Sequence, residues 1–127
     1  LQIKEISNIM KKVLIVDDSM ISRRMIRQLI SKWNFEIDEA KNGVEALEKI
    51  HTTKYDLVFL DLLMPDINGV EVLEKLAQEH NQTKVVVISA DIQETTKAKC
   101  KELGAIAFLN KPPKEEELNN VIQQIIS

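Results

Sequence analysis

The sequence predicts an α/β domain with helices on both faces of a parallel β-sheet. Short apolar runs alternate with longer amphipathic ones from Lys12 onward, the pattern of repeated βα units. Three of the short runs are apolar without interruption, as strands covered on both faces must be. A length of 127 residues supports one hydrophobic core and leaves no room for a second domain.

Residues 1–11 have no charged start leading into an apolar stretch and read as an N-terminal extension ahead of a domain at 12–127. Val13-Leu14-Ile15-Val16 is the first strand. The first helix follows from Ile21, Met25, Leu29 and Trp33 recurring every four residues, widened by Ile26 and Ile30, with Ser19 as N-cap. The segment Phe35–Ala40 alternates apolar with acidic residues, so only one of its faces is buried and it is an edge strand. Val44, Leu47 and Ile50 form a short helix after Gly43. Leu57-Val58-Phe59-Leu60 is the third strand, followed by a helix carrying Val70, Leu73, Leu76 and Ala77 after Gly69. Val85-Val86-Val87-Ile88 is the fourth strand. The helix at 92–103 is polar, anchored only by Ile92, Ala98 and Leu103, and Gly104 is its C-cap. Such thin anchoring places it at the low-stability end of the fold, where switching elements are found. Ala105–Leu109 is either the other edge strand or a buried loop. Leu118, Val121, Ile122, Ile125 and Ile126 give the last helix its stripe, with Pro113 in the first turn.

Composition narrows the function. The net charge of -3 offers no basic footprint for nucleic acid or an anionic membrane. No apolar run approaches the roughly 20 residues of a membrane-spanning helix, and the lone Cys100 has no partner for an intramolecular disulfide. A cytoplasmic, monomeric signalling domain or enzyme is the expectation.

The chemistry emerges when polar residues are set against strand ends. Asp17 and Asp18 follow the first strand, Asp61 the third, Ser89 the fourth, and Lys111 comes two residues after the fifth. In an open α/β sheet the ligand crevice lies outside those carboxyl ends. With the second strand at an edge, the order 2-1-3-4-5 sets the first and third strands side by side, and three carboxylates converge. Their mutual repulsion would raise at least one pKa unless a cation is supplied. Magnesium suits such a site, since it takes oxygen ligands from one or two carboxylates together with phosphate oxygens. An aspartate there can be a nucleophile that forms an aspartyl-phosphate. Phosphoryl transfer needs mostly positioning and charge neutralisation, which the Lys111 ammonium and the Ser89 hydroxyl would add.

Asp17-Asp18-Ser19, Asp61-Leu62-Leu63-Met64-Pro65-Asp66-Ile67-Asn68-Gly69, Ser89-Ala90 and Lys111-Pro112 together resemble a response-regulator receiver domain, over about residues 12–126. The likeness is closest in form to the single-domain, chemotaxis-type regulators. It implies a flavodoxin-like (βα)5 three-layer sandwich, and the strand order used above belongs to this fold type rather than to the residues alone. It further implies Asp61 as phosphoacceptor in two-component signal transduction, with Mg2+ held by Asp18, Asp61 and the backbone carbonyl of Leu63, and Asp17 acting largely through water. Lys111 would pair with Asp61 or its phosphoryl group, across a cis bond to Pro112. Ser89 and Phe108 would form the switch, the hydroxyl moving toward the phosphoryl group and the ring turning inward. The implied partners are a histidine kinase or histidine phosphotransfer protein, docked partly by the first helix, a downstream target protein read by the face of residues 91–126, and a phosphatase.

Two residues depart from the chemotaxis pattern. Phe108 lacks the hydroxyl of the Tyr usual there, so the ring can switch but cannot hydrogen-bond a partner. Leu63 puts an apolar side chain beside the site, which predicts slow self-dephosphorylation. Arg23, Arg24 and Arg27 otherwise read as a solvated helix face, His51 and His80 as surface residues without metal-ligand spacing, and Cys100 as inert. The chain would catalyse only its own phosphorylation and dephosphorylation. Three other readings are weighed against this one. A receiver excised from a larger regulator or hybrid histidine kinase has the same chemistry. A phosphohydrolase of the haloacid dehalogenase type would need a second Asp two residues after the nucleophile, where Leu63 stands. A flavin or nucleotide module would need a Gly-rich loop after the first strand.

Overall fold

The computed structural model describes residues 11–91 and 93–126. Among the described residues the strands β1 (Lys12–Val16), β2 (Glu36–Ala40), β3 (Leu57–Leu60), β4 (Val85–Ser89) and β5 (Ala107–Asn110) alternate with five helices. These are α1 (Met20–Leu29), α2 (Gly43–Thr52), α3 (Gly69–Gln78), α4 (Glu94–Glu102) and α5 (Glu115–Ile126), with a 3-10 turn at Ser31–Trp33. All neighbouring strands are parallel, in the order β2-β1-β3-β4-β5, the flavodoxin-like arrangement. The expected N-terminal extension lies outside the described residues except for Lys11, as does Ile92.

Alternation along the three central strands divides the core into two layers, because successive side chains leave opposite faces of a sheet. Leu14, Val16, Val58, Leu60, Val85 and Val87 meet residues of α2, α3 and α4 on one face. Val13, Ile15, Leu57, Phe59, Val86 and Ile88 meet Ile26 of α1, its C-cap Ile30, and Leu118 and Ile122 of α5 on the other. Fully burying one such aliphatic side chain is worth about 1.5–3 kcal/mol, so the strands that carry the site are among the most firmly held parts of the molecule.

Side-chain caps begin the first three helices. The Ser19 hydroxyl accepts from Ser22 N at 3.2 Å, as the sequence predicts. Asn42 accepts from Glu45 N at 2.8 Å. Asn68 and Glu71 form a reciprocal capping box. At the end of α4 Gly104 takes φ +104°, a conformation that suits glycine.

The structure corrects several stripe residues. Ile21 is 80% exposed and Val44 47% exposed. Both stand in the first turn of their helices, beside the carboxyl edge of the sheet, where no strand remains to cover them. Ala77 and Ala98 also face solvent, while Ala46, Val72 and Cys100 are buried in their place. Cys100 is therefore the main anchor of α4, with Leu103 packed beside it. Pro113 lies ahead of α5 rather than in its first turn, because the Lys114 carbonyl takes the first helical N–H, from Leu118 at 2.9 Å. The Ala105–Leu109 alternative resolves to a strand that begins two residues later, at Ala107, and ends one residue later, at Asn110, so Lys111 follows β5 directly.

Candidate functional site

Parallel pairing carries the residues at the carboxyl ends of β1, β3, β4 and β5 to one edge of the sheet, with Ser89 the last residue of β4 itself. Val16 pairs with Leu60, and beyond that pair Asp61 N donates to the Val16 carbonyl at 2.9 Å, which sets Asp61 beside Asp17. Ser89 pairs with Asn110, and Lys111 N donates to the Ser89 carbonyl at 3.0 Å. The Lys111–Pro112 bond is cis, as the resemblance implies. Behind Asp61 the first turn of α3 comes very close. A Cβ on Gly69 would lie 2.7 Å from Leu62 Cα and would collide with the Asp61 carbonyl oxygen.

Carboxylate oxygens of Asp17, Asp18 and Asp61 lie within 4.8 Å of one another. Asp17 is fully buried, Asp61 4% exposed, and Asp18 exposed. Asp17 is held at every polar atom but one of its contacts is unexpected. Its N–H donates to the Ala40 carbonyl at 3.1 Å, its Oδ1 accepts from Ser19 N at 2.9 Å, and its Oδ2 accepts from Lys111 Nζ at 2.6 Å. Its carbonyl oxygen accepts from Arg23 Nη1 at 2.8 Å. Lys111 reaches Asp61 Oδ2 only at 3.7 Å, so the ammonium that the resemblance assigns to Asp61 is shared and sits nearer Asp17.

Asp61 Oδ1 is buried with no hydrogen-bond partner. Burial, then the Asp17 charge, push the Asp61 carboxyl above the ordinary range, with Lys111 pulling the other way. A buried carboxylate with one oxygen unpaired is costly unless a cation completes it. The donor set, three carboxylates with hard oxygen atoms, fits a divalent ion such as magnesium and lacks the imidazole or thiolate that would favour zinc.

The flanking residues are placed as follows. Ser89 is fully buried and its hydroxyl accepts from Asp91 N at 3.2 Å, capping the turn after β4. Phe108 is half-buried, with Lys97 Nζ 5.5 Å from its ring centroid. The Leu63 side chain is 56% exposed, directly after Asp61-Leu62. His51 is at the surface but within 2.8 Å of Glu79, and His80 is exposed. Arg23 is not part of a solvated face: its side chain is 15% exposed and pairs with Glu39. The sequence reading missed that contact, although the signal was there in an arginine one helical turn past the Ser19 cap and an acidic residue on the neighbouring edge strand.

Residues 13–123 match the family model of the response regulator receiver domain. The transcriptional regulatory protein SrrA of Staphylococcus aureus is 38% identical over 101 residues, which are 80% of this chain and 42% of SrrA. The chain thus spans about two-fifths of that relative's length. The receiver domain of Francisella response regulator 1452 superposes with a TM-score of 0.84 at 28% identity, covering 91% of this chain and 96% of that one. The Vibrio cholerae chemotaxis protein CheY4 superposes with a TM-score of 0.82 at 28% identity, covering 92% and 99%. With its strand order, its acidic cluster and its lysine at the end of β5 all at one sheet edge, the chain belongs to the response regulator receiver domain family.

Proposed function

We propose that Asp61 is the phosphoacceptor of this receiver, taking a phosphoryl group from a histidine kinase or histidine phosphotransfer protein. The observation that carries the reading is the buried Asp61 carboxylate, its Oδ1 without a hydrogen-bond partner, beside two other carboxylates and a lysine. One oxygen of that carboxylate attacks phosphorus, the bond from phosphorus to the donor imidazole nitrogen breaks, and the imidazole leaves. Asp17, Asp18, Asp61 and the carbonyl of Leu63 would hold Mg2+, which when bound neutralises the carboxylates and the phosphoryl oxygens. Lys111, already between Asp17 and Asp61, supplies a fixed positive charge on the other side. Ser89 and Phe108 pass the change to the face of residues 91–126, where a target protein binds. The chain catalyses only its own phosphorylation and dephosphorylation, acts in the cytoplasm, and comprises the receiver at 12–127 after an extension at 1–11. A receiver within a larger regulator is the second reading, favoured by the identity to SrrA, of which the matched part is 42%.

The test is intact mass after incubation with acetyl phosphate, with and without Mg2+, beside Asp61→Asn. A metal-dependent gain of one phosphoryl group, absent in the variant, is expected. No gain in the unaltered protein, from acetyl phosphate or from a phosphorylated histidine phosphotransfer protein, would overturn the proposal.

A further inference from the structure

Arg23 joins the acidic cluster to the edge of the sheet. Its Nη1 donates to the Asp17 carbonyl at 2.8 Å and its Nε to Glu39 Oε1 at 2.6 Å, with the side chain 15% exposed. Glu39 is fixed in turn. Its Oε2 accepts from Arg27 Nη2 at 2.7 Å and Nε at 3.0 Å, and its own carbonyl accepts from Lys49 Nζ at 2.5 Å. The pairing of Ile15 with Glu39 and of Val16 with Ala40 holds β2 in register beside β1, so this anchor stands next to the point where the chain leaves the sheet toward Asp18.

The Asp17 carbonyl belongs to the peptide plane that joins Asp17 to Asp18. The other Asp17 contacts fix its own carboxylate and N–H. Asp18 is exposed, so packing does little to set its direction, and the orientation of that peptide plane is what aims it. We propose that Arg23, braced by Glu39, is a positioning residue for divalent-cation binding: it locks the Asp17–Asp18 peptide so that the exposed Asp18 carboxylate points at Asp61. This rests on the reading of the acidic cluster as a cation site.

Two effects of removing Arg23 have opposite signs, which makes the idea testable. A guanidinium beside a cation site repels the cation, so pure electrostatics predicts tighter binding when the charge is lost. Loss of orientation predicts weaker binding, since groups that hold metal ligands in place typically contribute about 10–100-fold in affinity.

The experiment is Mn2+ titration followed by electron paramagnetic resonance, with Mg2+ as competitor, on the unaltered protein, Arg23→Gln and Glu39→Gln. We expect Arg23→Gln to bind Mn2+ about tenfold more weakly. Glu39→Gln should weaken it less, and the double variant should bind no worse than Arg23→Gln alone, because both act through one contact. Equal or tighter binding in Arg23→Gln overturns the proposal. Should Arg23→Gln fail to fold, Glu39→Gln binding as tightly as the unaltered protein overturns it equally. Absence of Mn2+ binding to the unaltered protein overturns the cation-site reading itself, a different result from either.

Discussion

Replacing Asp61 by Asn should stabilise the metal-free protein while removing its response to Mg2+. The Asp61 carboxylate is 4% exposed, has an unpartnered Oδ1, and lies within 4.8 Å of the carboxylate oxygens of Asp17 and Asp18. At an effective dielectric constant of about 20, a like charge at 4.8 Å costs about 3.5 kcal/mol and the Lys111 ammonium at 3.7 Å returns about 4.5 kcal/mol, so Lys111 roughly offsets the buried Asp17 alone. Asp18 adds a second like charge, weakened by its exposure to solvent. Desolvation of a buried, unpaired charge adds about 1–3 kcal/mol more. An amide of the same shape escapes that cost and leaves Lys111 with its closer partner, Asp17. A rise in Tm of roughly 3–15 °C is expected by calorimetry in EDTA, at about 3–5 °C per kcal/mol for a domain of this size. The pH dependence has a definite sign. The folded protein raises the Asp61 pKa, so the protonated carboxyl is the form it favours. The associated stability is fully present below the ordinary Asp value of about 3.9 and is lost as pH rises through the raised folded value. The advantage of Asp61→Asn should therefore shrink on acidification. Adding Mg2+ should raise the Tm of the unaltered protein by mass action and leave the variant nearly unmoved. A variant less stable than the unaltered protein in EDTA, or a difference indifferent to both Mg2+ and pH, would refute the reasoning.

Three further outcomes are expected. Leu63→Asn should shorten the phosphoryl half-life severalfold, because a polar side chain beside Asp61 can orient the attacking water; an unchanged half-life by phosphoprotein gel would count against the assigned role of Leu63. Gly69→Ala forces its Cβ against the backbone of Asp61 and Leu62, so the fold should lose about 1–3 kcal/mol by urea titration and phosphorylation should slow, whereas a neutral result would mean the first turn of α3 can shift freely. Tyr55 is 4% exposed and donates to Asp38 Oδ2 at 2.7 Å; burial first, then that hydrogen bond, push its pKa up to about 12. Its stabilisation is complete below pH about 10, the ordinary Tyr value, and is lost as pH rises through the folded value. Alkaline melts between these limits should therefore fall more steeply for the unaltered protein than for Tyr55→Phe, and parallel curves would sink the assignment.

The unbroken apolar runs of β1, β3 and β4 could be read without a structure, because a strand covered on both faces has no polar position to disguise it. The site residues were legible for the same reason. Asp17, Asp61 and Ser89 are polar residues set directly against such runs, and a buried polar group at a strand end needs a chemical reason. The helices were legible in period but not in phase. Ile21, Val44 and Ala77 belong to apolar stripes, yet whether the end of a stripe is covered depends on where the helix overhangs the sheet, a matter of tertiary placement. The anchor of α4 went unread because Cys100 stands among lysines and glutamate, and only docking against the core shows which face turns inward.

Sequence alone determined the class of fold, the central strands and which acidic and basic residues gather at the candidate site, since hydrophobic burial and the cost of unpaired charge act residue by residue. Tertiary structure decided how the charges are shared. Lys111 sits closer to Asp17 than to Asp61, and Arg23 reaches across to Glu39 and the Asp17 carbonyl. Those choices depend on distances between strand ends that lie far apart in the chain, and Coulomb and hydrogen-bond energies change steeply over an ångström.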